Sequence, residues 1–228
     1  MKIMLGTVAG AASGSVGNTT VSHNRGGYYM RMRVIPTKVV NAYTTEVRNI
    51  MAACSRAWGA LDAETQAAWN TWCSTHPITD VLGQKQVLFG AQGYTQLNAR
   101  ILLAGDTAIT LPPISAPPAP LTTFSAAPLD GAGTCAITFL PTPLAATERL
   151  WLRAALVDNP GVNYFQNLMR TVYIGALTTP SLVDIEAELQ LRFGIMIEGQ
   201  ILHCQAQVYE STSGMLSGAI YHRIAVAA

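Results

Sequence analysis

The sequence predicts an α+β chain in which a β-rich N-terminal arm and a small helical region precede a β domain. Three observations predict it. Apolar residues recur at helical spacing between about residues 41 and 108. A proline-rich stretch, Leu111-Pro112-Pro113-Ile114-Ser115-Ala116-Pro117-Pro118-Ala119-Pro120, then breaks the pattern as a semi-rigid linker. Beyond it come short β-type runs separated by turn residues. The expected organisation is an arm over 1–40, a helical region over 41–108, a linker over 109–121 and a β domain over 122–228.

The arm holds Gly6, Gly10, Gly14, Gly17, Gly26 and Gly27, five cations and no acidic residue. Such a segment needs a partner to tie it down. Tyr28 to Val34 reads as a strand, with turn chemistry before it at Asn24-Arg25-Gly26-Gly27 and a hairpin partner at Thr19 to Ser22. Pro36 ends the strand. A first helix is expected from an N-cap at Thr44 or Thr45 to about Ala60, with Val47, Ile50, Met51, Cys54, Trp58 and Leu61 on its apolar face. A second starts at Asp62 and carries Ala68, Trp69, Trp72 and Cys73, closing at His76-Pro77. A third runs from about Ala91 to Ala104, with Gly105 after its end. Trp58, Trp69 and Trp72 are expected to share one small core with Met51 and Cys54.

Beyond the linker, β character marks 134–140, 149–157, 169–174, 201–209 and 219–226. Residues 183–193 alternate apolar and polar, which argues for a strand, although Leu182, Ile185, Leu189 and Phe193 also fit a helical face. Roughly seven strands in about 105 residues is the count of an immunoglobulin/fibronectin-like β-sandwich.

Composition narrows function. The 228 residues are 50% hydrophobic and 12% charged, with a mean hydropathy of +0.26. That excludes a disordered chain and a basic chromatin-type protein. The longest apolar runs are far shorter than the roughly 20 residues a spanning helix needs, and Met1 to Gly6 is too brief for a secretory leader. The expectation is cytoplasmic synthesis and no membrane. A weakly charged, apolar chain hides surface in subunit contacts. Residues 1–120 hold nine Lys+Arg and five Asp+Glu, net +4, and residues 121–228 hold five and eight, net −3. A basic front and an acidic back let copies attract head to tail.

Catalytic motifs are not found. There is no Gly-x-Ser-x-Gly, Walker loop or dinucleotide fingerprint in the sequence. Glu186 and Glu188 would share one sheet face as a carboxylate pair, read more simply as a solvated face. His23, His76, His203 and His222 lack metal-ligand spacing, and His203 and Cys204 would point to opposite faces of a strand. No cofactor or metal is implied. Cys135, Trp151 and Cys204 follow the Cys…Trp…Cys order of antibody domains, but Leu202 stands where those domains carry tyrosine. Without an export signal the cysteines are expected to stay thiols, Cys135 and Cys204 filling core volume beside Trp151 and Cys54 and Cys73 lying in the helical core.

The candidate site residues are Arg25, Tyr28, Tyr29, Arg31 and Arg33. Cations interleaved with aromatics suit protein interfaces and also nucleic acid. The modest charge excess puts a protein interface first, nucleic acid and a plain solvated strand behind it.

Gly14-Ser-Val-Gly17-Asn18, Ser22 with Arg25-Gly26, Tyr29-x-Arg31-x-Arg33, Pro36 and Val47-Arg48 together resemble an uncharacterised protein family of bacteriophage and bacterial genomes. Trp58 to Trp72, with Gln66-Ala67-Ala68-Trp69-Asn70, is similar to that family's Trp-rich helix pair, and Gly199 to Tyr221 to its last sandwich hairpin. The resemblance implies a helix-plus-sandwich architecture, a phage-like origin and a structural role. This chain departs from the family in its few charges. The expected function is a non-enzymatic structural protein of a phage particle, capsid or tail, assembling in many copies through its arm in the host cytoplasm. Its partners would be its own copies and other virion proteins. The alternatives are a bacterial surface filament or adhesion subunit and, behind it, a nucleic-acid-binding accessory protein.

Overall fold

A tight turn at Gly17-Asn18, where Gly17 takes φ +55, starts the first sheet. β1 (Gly14–Val16), β2 (Thr19–Asn24) and β3 (Gly27–Met32) pair antiparallel in that order. The register sets Thr20 opposite Arg31 and Ser22 opposite Tyr29, so the predicted hairpin is present and β1 adds a strand the sequence reading lacked. The computed structural model describes residues 13–24, 27–33, 41–79, 84–127, 133–162 and 164–227. Residues Met1–Thr45 form one compact unit and Glu46–Ala228 another.

α1 (Ala42–Ala60) begins three residues earlier than a Thr44 cap predicts. Its cap is Asn41: the Thr44 N–H donates to Asn41 Oδ1 at 2.8 Å, and the Asn41 N–H donates to Thr44 Oγ1 at 3.2 Å. Reciprocal capping of this kind satisfies two otherwise orphan donors. The apolar stripe of α1 is largely uncovered. Cys54 is buried, but Met51 is 47% exposed, which removes it from the expected tryptophan core.

α2 (Ala63–Thr75) follows at once, then the small antiparallel pair β4 (Ile78–Thr79) and β5 (Lys85–Gln86), then α3 (Gly90–Leu103). α2 and α3 pack closely because Gly93 has no side chain. A Cβ there would collide with Cys73 Sγ. Trp69 is fully buried, its Nε1–H donating to the Thr110 carbonyl at 2.7 Å. Its ring meets Trp72 and Tyr94 edge-on at 5.7 and 5.3 Å, a favoured aromatic geometry. Leu97 and Met215 complete this core, with Trp58 and Leu61 flanking it. The three tryptophans therefore gather as predicted.

The proline-rich stretch is pinned at its start. Asn98 donates to the Ile109 carbonyl and accepts the Ile109 N–H, at 3.0 and 2.7 Å. Beyond it lie β6 (Thr123–Ala127), β7 (Ala136–Leu140), β8 (Glu148–Val157), β9 (Arg170–Ile174), β10 (Val183–Asp184), α4 (Glu186–Phe193), β11 (Ile201–Glu210) and β12 (Ile220–Ala225). They form two antiparallel sheets, ordered β10-β7-β6 and β12-β11-β8-β9. One buried cluster joins them, with Phe124, Ile137 and Phe139 from the first sheet and Leu150, Leu152, Leu202 and Val208 from the second. The molecule is α+β with several antiparallel sheets.

Three expectations are corrected here. Residues 183–193 are a two-residue strand followed by a helix. The segment Glu186-Ala-Glu-Leu-Gln-Leu-Arg is made of strong helix formers, and Asp184 Oδ1 accepts the Glu186 N–H at 3.1 Å to start the turn. The helix sends Ile185 and Leu189 into the core and leaves Leu191 exposed, whereas a strand would have buried all three. In consequence Glu186 and Glu188 do not share a sheet face. Glu186 is buried, donated to by Gln190 at 2.9 Å, with Oε2 unpartnered among the described residues. Finally, Trp151 does not lie beside Cys135 and Cys204. Both cysteines enter the two-sheet core, while Trp151 faces the other side of β8 and packs with Ile101 and Tyr209.

Candidate functional site

Two surfaces carry the chemistry that the sequence singles out or that the fold creates. The first is the N-terminal sheet. Tyr28, Tyr29 and Arg31 lie on β3, and Arg33 follows it, its N–H donating to the Asn18 carbonyl at 2.8 Å. Period-two alternation sets Tyr29, Arg31 and Arg33 on one face and Tyr28, Met30 and Met32 on the other. The His23 and Tyr28 rings are 4.7 Å apart. Arg25 lies outside the described residues. No residue from 13 to 45 whose burial is described is buried, and Arg31, Met32 and Arg33 are exposed. The sheet thus brings Tyr29, Arg31 and Arg33 together on one face and sets Tyr28 on the other.

The second surface is a cleft in the larger unit, of about 1330 Å³. α2 contributes Trp72 and His76, whose rings stack at 4.5 Å. β5 contributes Lys85, α3 Arg100, and β8 Trp151 and Arg153. Among the described residues no carboxylate lines it. Arg100 donates to the Gly214 carbonyl at 3.3 Å, and Arg153 to Gln205 Oε1 and the Met169 carbonyl, both at 3.2 Å. These acceptors are all neutral. Burial holds the Arg100 guanidinium below its ordinary value; Tyr209 works against that shift and Arg153 adds to it. Trp72 Nε1 is buried with no acceptor among the described residues. An aromatic wall, three cations and a spare N–H donor give a cleft suited to an apolar group carrying negative charge.

The sequence reading missed this cleft. Its cations sit far apart along the chain, and only the packing of α3 against β8 and β11 unites them. One local signal existed: neither Arg100 nor Lys85 has an acidic residue three or four positions away, the spacing that would neutralise it on a helix.

Beside the cleft, Arg149 Nη2 meets Asp106 Oδ1 at 2.6 Å and the Tyr209 hydroxyl donates to Asp106 Oδ2 at 3.2 Å. Burial raises the Tyr209 pKa, and the Asp106 charge and hydrogen bond raise it further. Here a carboxylate does neutralise an arginine, which sets the unpaired Arg100 and Arg153 apart. Across the sheet, His203 stacks on Phe165 at 3.8 Å while Cys204 faces the core, the opposed pointing that was predicted. The four cysteines are buried and unbridged. Burial, then the nearby Glu186 and Asp184, push the Cys135 thiol up to about 12. Burial also raises the Cys204 thiol. Such thiols are poor nucleophiles. No group of three or more His, Cys, Asp or Glu side chains is placed to hold a metal among the described residues, and no described helix is long and apolar enough to cross a membrane.

No family model, curated protein or solved structure matches this chain.

Proposed function

We propose that the chain is a non-enzymatic structural protein of a bacteriophage particle, capsid or tail, which assembles in many copies through its N-terminal arm. The observation that carries the reading is the arm's sheet. Three strands pair in register, yet no residue from 13 to 45 whose burial is described is buried. Small sheets need a covered apolar face to persist. A second copy or another virion protein would supply that cover, and the β1 backbone would add hydrogen bonds to it. Tyr29, Arg31 and Arg33 are the residues proposed to lock the contact.

The C-terminal β region is read as an immunoglobulin/fibronectin-like sandwich. Taken in chain order as A to G, with β9 as C′, its strands give sheets E-B-A and G-F-C-C′, the fibronectin type of arrangement, and the shared core supports that reading. Such domains serve as non-catalytic modules in many surface and particle proteins.

Deleting residues 1–35 tests the reading. The truncated chain is expected to remain folded and to lose the large assemblies that the full chain forms in sedimentation. Normal assembly of the truncated chain would show that the arm is not the lock. Steep loss of binding to single-stranded nucleic acid with rising salt would instead favour a nucleic-acid role.

A further inference from the structure

The cleft has a counterpart elsewhere on the same unit. Between α4 and β11 the chain runs Gly194-Ile195-Met196-Ile197-Glu198-Gly199. Met196 is fully buried and anchors the segment, which leaves Ile195 71% and Ile197 64% exposed. Leu191, one turn earlier on α4, is also exposed, and Glu198 stands in solvent beside them. Gly194 and Gly199 both take positive φ, +86 and +87, and bracket the protrusion. Large apolar side chains this exposed, clustered on one short knob around a carboxylate, mark a contact surface.

The two surfaces are complementary. The cleft offers Trp72, Trp151 and Met215 as apolar walls and Lys85, Arg100 and Arg153 as cations without a carboxylate partner among the described residues. The knob offers Leu191, Ile195 and Ile197 with the exposed Glu198 at its far end, while the half-buried Arg192 stays back on α4. We propose that the 191–199 knob of one copy seats in the cleft of a second copy, with Glu198 between Arg100, Arg153 and Lys85. Two mutually repelling guanidiniums gain the anion they lack, and a bidentate arginine–carboxylate pair fixes orientation. The contact is heterologous, because the knob and the cleft are different patches. Repetition therefore builds a ring or an open filament rather than a two-fold dimer. The knob buries only part of the roughly 1,200–2,000 Å² that a stable interface needs, so it acts beside other contacts. The inference goes beyond the arm reading and stands independently of it, since both surfaces lie outside residues 1–45.

Mixed cross-linking of the full-length chain tests it. One batch carries Thr79→Cys, on the cleft rim, and another Ile195→Cys, which leave Lys85 and Glu198 in place; the native cysteines are buried. Mild oxidation of the mixture is expected to give a dimer joining position 79 to position 195, identified by peptide mass. Adding Ile197→Asp to the second batch should abolish it. Glu198→Lys alone should weaken self-association about tenfold or more at low salt, and combining it with Lys85→Glu should restore most of the loss. Unchanged thermal unfolding of each variant controls for folding. The same mixed product is expected when Arg31→Glu and Arg33→Glu disable the arm, which separates this contact from that one. Symmetric 79–79 and 195–195 products, absence of the mixed product, or a chain that stays monomeric at high concentration would each overturn the proposal.

Discussion

The N-terminal sheet and the four-stranded sheet of the larger unit obey the same antiparallel pairing rules and end up in opposite physical states. In β11 every residue from Ile201 to Ala206 is buried, and one side of the strand enters the two-sheet core. In β2 and β3 none is buried among the described residues. Backbone hydrogen bonds are equally available to both, and each contributes only about 1 kcal/mol net against water. The difference is apolar burial, at roughly 25 cal/mol per Å². Pairing gives a strand its register, whereas stability comes from what covers its faces. The described part of the arm sheet shows no such cover, and on the proposed function another molecule supplies it, while β11 carries its own.

The comparison can be broken most severely in the buried regions. Trp69→Ala, or Leu202→Ala in β11, should each cost about 3–5 kcal/mol in denaturant unfolding, since both side chains are fully buried. Losses below about 1 kcal/mol would mean these cores are not what holds the larger unit. A smaller effect is expected from Gly214→Ala. Gly214 takes φ +71, and a Cβ there would lie 2.7 Å from the Leu97 carbonyl oxygen, so about 1–3 kcal/mol should be lost. Smaller again is a pH effect at His203. Burial lowers its pKa, and Arg223 lowers it further. The folded state thus favours the neutral ring, and the unfolded chain binds its proton first as pH falls. The stability present above about pH 6.5 should decline as pH drops from there toward the folded value, then level off. His203→Gln should flatten that part of the profile.

The smallest stability effect belongs to the arm, and it sharpens the contrast. Tyr29→Ala and Arg31→Ala should change unfolding of the isolated chain by less than about 0.5 kcal/mol, while lowering the assembled fraction in sedimentation. A stability loss comparable to that of Leu202→Ala would mean the arm sheet already has a core within its own chain. Thiol counting gives a further check on the larger unit. Native protein should react slowly with a thiol reagent, and unfolded protein kept from air should show four groups. Two groups and a mass consistent with one bridge would point to an oxidising compartment.

The sequence was most readable where one period dominated. Trp58, Trp69 and Trp72 recur at helical spacing between clear breakers, and α2 and α3 follow within a residue or two. It was ambiguous where two periods coincided. Residues 183–193 satisfy alternation and a helical face together, and intrinsic helix preference, with Asp184 Oδ1 holding the Glu186 N–H, decided between them. β6 was overlooked because Thr-Phe-Ser-Ala-Ala carries one large apolar residue, although Pro128 and Asp130-Gly131 after it are a turn signal. Trp151 was assigned to the wrong side of its strand because adjacency to the cysteines in chain order says nothing about which face a residue takes. The cleft was invisible for a deeper reason: Lys85, Arg100 and Arg153 become neighbours only through tertiary packing.

The proline-rich stretch has a consequence for how this protein would respond to a protease. Ile114 is fully exposed at its tip, so the peptide bonds around it are open to cleavage. Yet each side of the cut stays fastened. Trp69 and Asn98 grip Thr110 and Ile109, Asp106 holds Arg149 and Tyr209, and Arg100 reaches Gly214. A single nick between 111 and 118 would sever the chain without releasing the halves. Two fragments on a denaturing gel would travel as one particle under native conditions, and the helices would remain seated on the sheets that their own covalent link no longer joins.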